Sequence, residues 1–131
     1  MLGALRRVRD ELDASRDGDK PIFLTETAFP ASRGRADPIR GQRQETPAGM
    51  AKRLTTLFTL LGEEQRALQL EQVSWYTWAS GYKHRTSNFE YAGLQSSSDG
   101  IRFKAQPALD AFRRVARKLQ GCAKNVRGAC R

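Results

Sequence analysis

The sequence predicts an α/β fold in the order helix, strand, helix, strand, helix, with the two strands parallel. Three stretches carry apolar residues at three- and four-residue steps, the pattern of a helix with one apolar stripe. Between them lie two short runs of strand composition, at 21–25 and 73–78. Strands that alternate with helices are joined by crossovers, and crossovers make neighbouring strands parallel.

In the first stretch Leu2, Leu5, Val8 and Leu12 form the stripe, and Asp17-Gly18-Asp19 ends it. The first strand opens on Pro21, a position where no ladder donor is lost. Alternation then puts Ile22, Leu24 and Glu26 on one face and Phe23 and Thr25 on the other. If the first face lines a closed sheet, Glu26 reaches its mouth and Phe23 packs against the helices outside. Residues 30–46 combine Pro30, Gly34, Pro38 and Gly41 with Arg33, Arg35, Arg40 and Arg43, without periodicity. A loop of this length inside a compact domain is often functional.

Thr46-Pro47 reads as an N-cap followed by proline at the first helical position. Met50, Leu54, Leu57, Phe58 and Leu61 supply the second stripe, Gly62 is a stop or kink, and 63–68 forms a further turn or two. The second strand, Val73-Ser74-Trp75-Tyr76-Thr77-Trp78, sets Ser74, Tyr76 and Trp78 on one face and Trp75 and Thr77 on the other. An irregular segment runs from 79 to about 104, and Pro107 opens a last helix on Leu109, Phe112, Val115 and Leu119.

Composition bounds the function. The chain has 131 residues, whereas a complete (β/α)8 barrel takes roughly 250, so the fold is either smaller or part of a barrel. A hydrophobic content of 39% with 28% charged residues suits a soluble, packed segment. No apolar run approaches the ~20 residues that span a bilayer, and the first residues lack the order of a secretory signal. Cys122 and Cys130, spaced C-x7-C without a nearby histidine, are too few for zinc. A tail disulfide, the preferred reading, and two idle thiols are the alternatives.

The formal charge of +9 raises the question of nucleic acid. Its cations are spread over separate elements: Arg6, Arg7 and Arg9 in the first helix, the loop arginines, and Arg113, Arg114, Arg117 and Lys118 in the last. Without a basic groove studded with aromatics they read as solvated faces. No ligand spacing suggests a metal, and no glycine-rich strand-to-helix turn suggests a nucleotide cofactor. No cofactor is expected.

The segment Lys20-Pro21-Ile22-Phe23-Leu24-Thr25-Glu26-Thr27-Ala28-Phe29-Pro30 resembles the seventh-strand segment of retaining glycoside hydrolases of the large (β/α)8 clan, where the glutamate is the nucleophile. Trp75-Tyr76-Thr77-Trp78-Ala79-Ser80, Phe89-Glu90-Tyr91-Ala92-Gly93-Leu94, Asp99-Gly100 and 104–112 look like the eighth strand, its loop and the closing helix of that family. The resemblance covers about residues 1–120, and its specificity lies in the combined order of the motifs. It implies a partial TIM barrel over 1–121, from the sixth helix to the eighth, with 122–131 a basic tail.

It also implies carbohydrate as substrate and Glu26 as nucleophile, the alternative being an exposed or salt-bridged strand-end glutamate. If the face of Tyr76 and Trp78 is inward, Trp78 is a sugar-stacking platform and Trp75 a packing anchor, the alternative being that either tryptophan is a core anchor under a helix. His84, and with it Tyr82 and Asn88, is a candidate for a sugar hydroxyl or a solvated loop residue. The family's acid/base glutamate follows an asparagine at the end of the fourth strand, and this chain contains no Asn-Glu pair. The isolated chain is therefore expected not to turn over glycosides, and a companion chain supplying the missing strands is a possible partner. No membrane is expected, nucleic acid is disfavoured, and an extracellular location is open for a full-length parent. The competing reading is a small basic α/β protein that binds nucleic acid or another acidic partner without catalysis.

Overall fold

The computed structural model describes residues 1–35, 43–80 and 88–120. Its elements run α1 (Leu2–Ala14), β1 (Ile22–Thr27), α2 (Pro47–Glu63), α3 (Gln65–Leu68), β2 (Leu70–Trp75), a 3-10 turn (Asn88–Tyr91), β3 (Gln95–Ser97), β4 (Phe103–Ala105) and α4 (Pro107–Leu119). The fold is mixed α/β, with β1 and β2 forming a two-stranded parallel sheet. The expected order of three main helices and two strands is present, with α3 standing where a further helical turn was anticipated.

The stripe on α1 differs from expectation by one residue. Val8 is 47% exposed, while Arg9 is buried to 5%. On a helix of 3.6 residues per turn the set 2, 5, 9 and 12 is centred on one line, and 8 falls at its edge. Leu5 is buried in a cluster against which Leu2 and Leu12 pack. The Arg9 guanidinium is satisfied on all sides: Nε donates to Asp13 Oδ1 at 2.9 Å, Nη1 to the Lys20 carbonyl at 2.7 Å and Nη2 to the Asp17 carbonyl at 3.2 Å. It thereby ties the turn after α1 to the approach into β1.

Thr46 caps α2 as predicted, its Oγ1 accepting from the Gly49 N–H at 3.0 Å ahead of Pro47 at the helix start. Met50, Leu54, Leu57, Phe58 and Leu61 are all buried. Gly62 lies inside α2, one residue before its end, and a Cβ there would overlap the Leu119 side chain. Its absence lets α4 lie close along α2, which is its role here in place of a kink.

Helices and sheet share two apolar clusters. Ile22, Leu57, Leu61, Leu68 and Leu70 join Leu5, while Met50, Leu54, Phe58, Leu94, Leu109 and Val115 form the second, and Phe29 and Val73 touch both. The expected faces of β1 are thus reversed. Ile22 and Leu24 face the helices, and Phe23, 53% exposed, lies opposite. The cause is register: Ile22 and Leu24 pair with Leu70 and Val73, so the apolar residues of both strands share the helix-covered face, while Phe23 pairs with exposed Gln72.

β2 starts at Leu70, three residues before the run expected to form it, and ends at Trp75. Tyr76, Thr77 and Trp78 lie beyond the strand. The segment 79–104, expected to be irregular, contains an antiparallel hairpin in which Gln95, Ser96 and Ser97 pair with Ala105, Lys104 and Phe103. Its strands are three residues long, shorter than the four to eight residues over which alternation reads as a strand. Among the described residues no helix is long and apolar enough to cross a membrane.

Candidate functional site

The site is built where the two parallel strands end. Thr27 pairs with Trp75, and the Tyr76 N–H donates to the Thr27 carbonyl at 2.9 Å, so both chains leave the sheet side by side. Ligand sites in parallel α/β sheets lie at the carboxyl ends of the strands, because the segments that follow converge there.

Between the pairs Leu24–Val73 and Thr27–Trp75, β1 spends one residue more than β2. This is a β-bulge, a device that re-aims side chains at the end of a strand. Thr25 and Glu26 are both exposed, and Thr27 is buried. Strict alternation would have put Glu26 with Ile22 and Leu24, against the helices; the bulge releases it to the exposed side. Glu26 makes no hydrogen bond or ion pair with any described residue. Its freedom contrasts with Glu45, which is ion-paired to Arg53 at 3.2 Å, and Glu64, paired to Arg6 at 2.6 Å.

The aromatic residues after β1 and β2 divide by role. Trp75 is a packing anchor: its Nε1 donates to the Ala92 carbonyl at 2.9 Å, and its ring meets Phe29 edge-on with centroids 5.8 Å apart. Tyr76 is exposed, and a cis peptide bond joins it to Thr77. Trp78 is 58% exposed, yet its backbone is held fast. The Gln95 N–H donates to the Trp78 carbonyl at 3.0 Å, the Leu94 N–H to the Thr77 carbonyl at 3.1 Å, and the Ser80 N–H to the Gln95 carbonyl at 2.8 Å. Gly93 makes this approach possible, since a Cβ at that position would collide with the backbone of Ala79 and Ser80.

The described residues of the loop after β1 are tied by backbone hydrogen bonds. Glu45 N–H donates to the Pro30 carbonyl at 3.0 Å, and Ala31 N–H donates to the Tyr91 carbonyl at 3.1 Å, joining this loop to the one after β2. Asn88 belongs to the same seam. It is buried, and its Oδ1 accepts from Ser32 Oγ at 2.7 Å and Gln44 Nε2 at 3.2 Å, which ties the two loops together. His84, Tyr82, Arg40, Cys122 and Cys130, with the tail 122–131, lie outside the described residues. Among the described residues no group of three or more His, Cys, Asp or Glu side chains could hold a metal.

No family model, curated protein or solved structure matches this chain.

Proposed function

We propose that the chain forms the nucleophile-bearing part of a retaining glycoside hydrolase-like (β/α)8 barrel, with Glu26 as the nucleophile. The observation that carries this is the bulge in β1, which leaves an unpaired carboxylate exposed at the carboxyl end of a parallel strand pair. Further support comes from the order α1, β1, α2, β2, α4, which repeats the helix and strand alternation of a barrel, and from Phe23, a large apolar side chain on the uncovered face of the sheet. In a closed barrel that face is filled by side chains from the other strands.

In this chemistry one Glu26 oxygen attacks the anomeric carbon as the glycosidic C–O bond breaks, forming a covalent glycosyl ester. A second carboxyl group, roughly 5–5.5 Å away, protonates the leaving oxygen and then takes a proton from the water that cleaves the ester. The second group must come from strands beyond β1 and β2. Trp78 offers its exposed ring to the sugar, its backbone already held by the Gln95 contact, so little order has to be created on binding.

The purified 131-residue chain is expected to release no product from aryl glycosides or oligosaccharides. Hydrolysis that disappears in Glu26→Gln would overturn that expectation. Binding of neutral oligosaccharides is expected to weaken about five- to tenfold in Trp78→Ala, the value of one aromatic contact of roughly 1 kcal/mol. Titration of the intrinsic tryptophan fluorescence measures it, and an unchanged affinity would remove Trp78 from the site.

A further inference from the structure

A cavity of about 560 Å³ lies between the β3–β4 hairpin and the starts of α2 and α4. It shares no lining residue with the Glu26, Tyr76 and Trp78 face. Arg35, Arg102 and Lys104 line it, and among the described residues no carboxylate does. Ser96 and Ser98 add hydroxyl groups, and Phe103 adds a half-exposed aromatic ring.

We propose that this cavity is a binding site for a small organic oxyanion, a sugar carrying a phosphate or sulfate ester, held by Arg35, Arg102 and Lys104. Arg35 and Lys104, with no carboxylate paired to them among the described residues, and Arg102, which Asp99 meets only at 3.5 Å, set positive charge around one cavity, and each hydrogen bond from them to an oxyanion is charge-assisted. The Lys104 ammonium has no hydrogen-bond or ion-pair partner among the described residues. Arg35 is held in position by its neighbours: its Nη2 donates to the Ala31 carbonyl, its Cζ lies 4.8 Å from the centre of the Tyr91 ring, and the Tyr91 hydroxyl donates to the Arg35 carbonyl at 3.1 Å.

Asp99, which does not line the cavity, competes for Arg102 alone, and most of its carboxylate's bonding goes to the turn. Its Oδ1 accepts from the Ile101 and Arg102 N–H groups at 2.9 and 2.8 Å, and its Oδ2 is 3.5 Å from Arg102 Nε. Pro47 and Pro107, the first residues of α2 and α4, also line the cavity, so the positive ends of two helix dipoles add to the field. The volume falls in the range of small-molecule pockets, larger than a bare phosphate needs, and Phe103 gives the remainder of the ligand an apolar surface.

Isothermal titration calorimetry of the full chain at low ionic strength, with glucose 6-phosphate, glucose 6-sulfate and glucose as probes, tests the site. One or both esters bind saturably at one per chain, more weakly as salt rises, and glucose does not bind here; the tighter ester identifies the group. Lys104→Ala and Arg102→Ala, both at exposed side chains, each weaken the ester about tenfold, the usual value of one charge-assisted hydrogen bond. Arg114→Ala, an exposed cation on α4 away from the cavity, leaves the affinity unchanged and separates the site from the general effect of net charge. Failure of both esters to saturate, parental affinity in Lys104→Ala and Arg102→Ala, or an equal loss in Arg114→Ala would overturn the proposal. A failure here leaves the Glu26 assignment standing, because that rests on glycoside chemistry at a different face.

Discussion

Single side chains decide more of this molecule than their types suggest. Arg9 is the clearest case, a guanidinium on the buried side of α1 that answers two backbone carbonyls and Asp13. Arg9→Ala leaves those carbonyls without donors, so the chain is expected to lose about 1–3 kcal/mol of stability. Urea denaturation measures the change, and a loss within experimental error would show that water replaces the guanidinium. Asp99 acts on the β3–β4 turn. Hydrogen bonds from the Arg102 N–H, and then the Ile101 N–H, favour its ionised form and lower its pKa from the ordinary 3.8. A depressed pKa contributes order that is complete above the unfolded value and is lost as pH falls through the folded one. The Ile101 and Arg102 amide resonances should therefore titrate with a midpoint below 3.8; a midpoint at or above it would contradict the hydrogen bonding.

At the scale of elements, parts written in local chemistry are legible in the sequence, and parts that depend on pairing are not. Thr46-Pro47 and Pro107 announce the starts of α2 and α4, because caps and proline act within one turn. The face of β1 is different. Alternation alone puts Glu26 with Ile22 and Leu24, and only the register against β2 reveals the extra residue that sets it free. Trp78 was legible as an exposed aromatic candidate, but what holds its backbone, the contact with Gln95 across Gly93, joins residues far apart in the chain. The hairpin strands, three residues each, are too short to establish a period. Gly93→Ala tests that crossing: the new Cβ meets the Ala79 and Ser80 backbone, which cannot yield as a flexible side chain would. It is expected to destabilise by about 1–3 kcal/mol, the usual cost of overpacking, in thermal or urea unfolding, and a neutral effect would mean that the crossing relaxes freely.

The whole molecule is one-sided. All the main helices pack on the Ile22 and Leu24 face of a two-stranded sheet, and Phe23 and Gln72 are left on the other. Under the proposed barrel reading this is the surface that further strands would cover, and a two-stranded sheet is marginal without its cover of helices. Under the same proposal one carboxylate at the strand ends would not suffice for catalysis, since the proton donor of a retaining site stands across a mouth that two strands do not encircle. Binding and turnover should therefore separate. The direct test is to incubate the purified chain and its Glu26→Gln variant with a panel of neutral oligosaccharides, following tryptophan fluorescence for binding and chromatography for released sugar. Saturable binding by both proteins and hydrolysis by neither are expected; hydrolysis by the parent chain that Glu26→Gln abolishes, or binding by neither, would overturn the proposed role of Glu26 and Trp78.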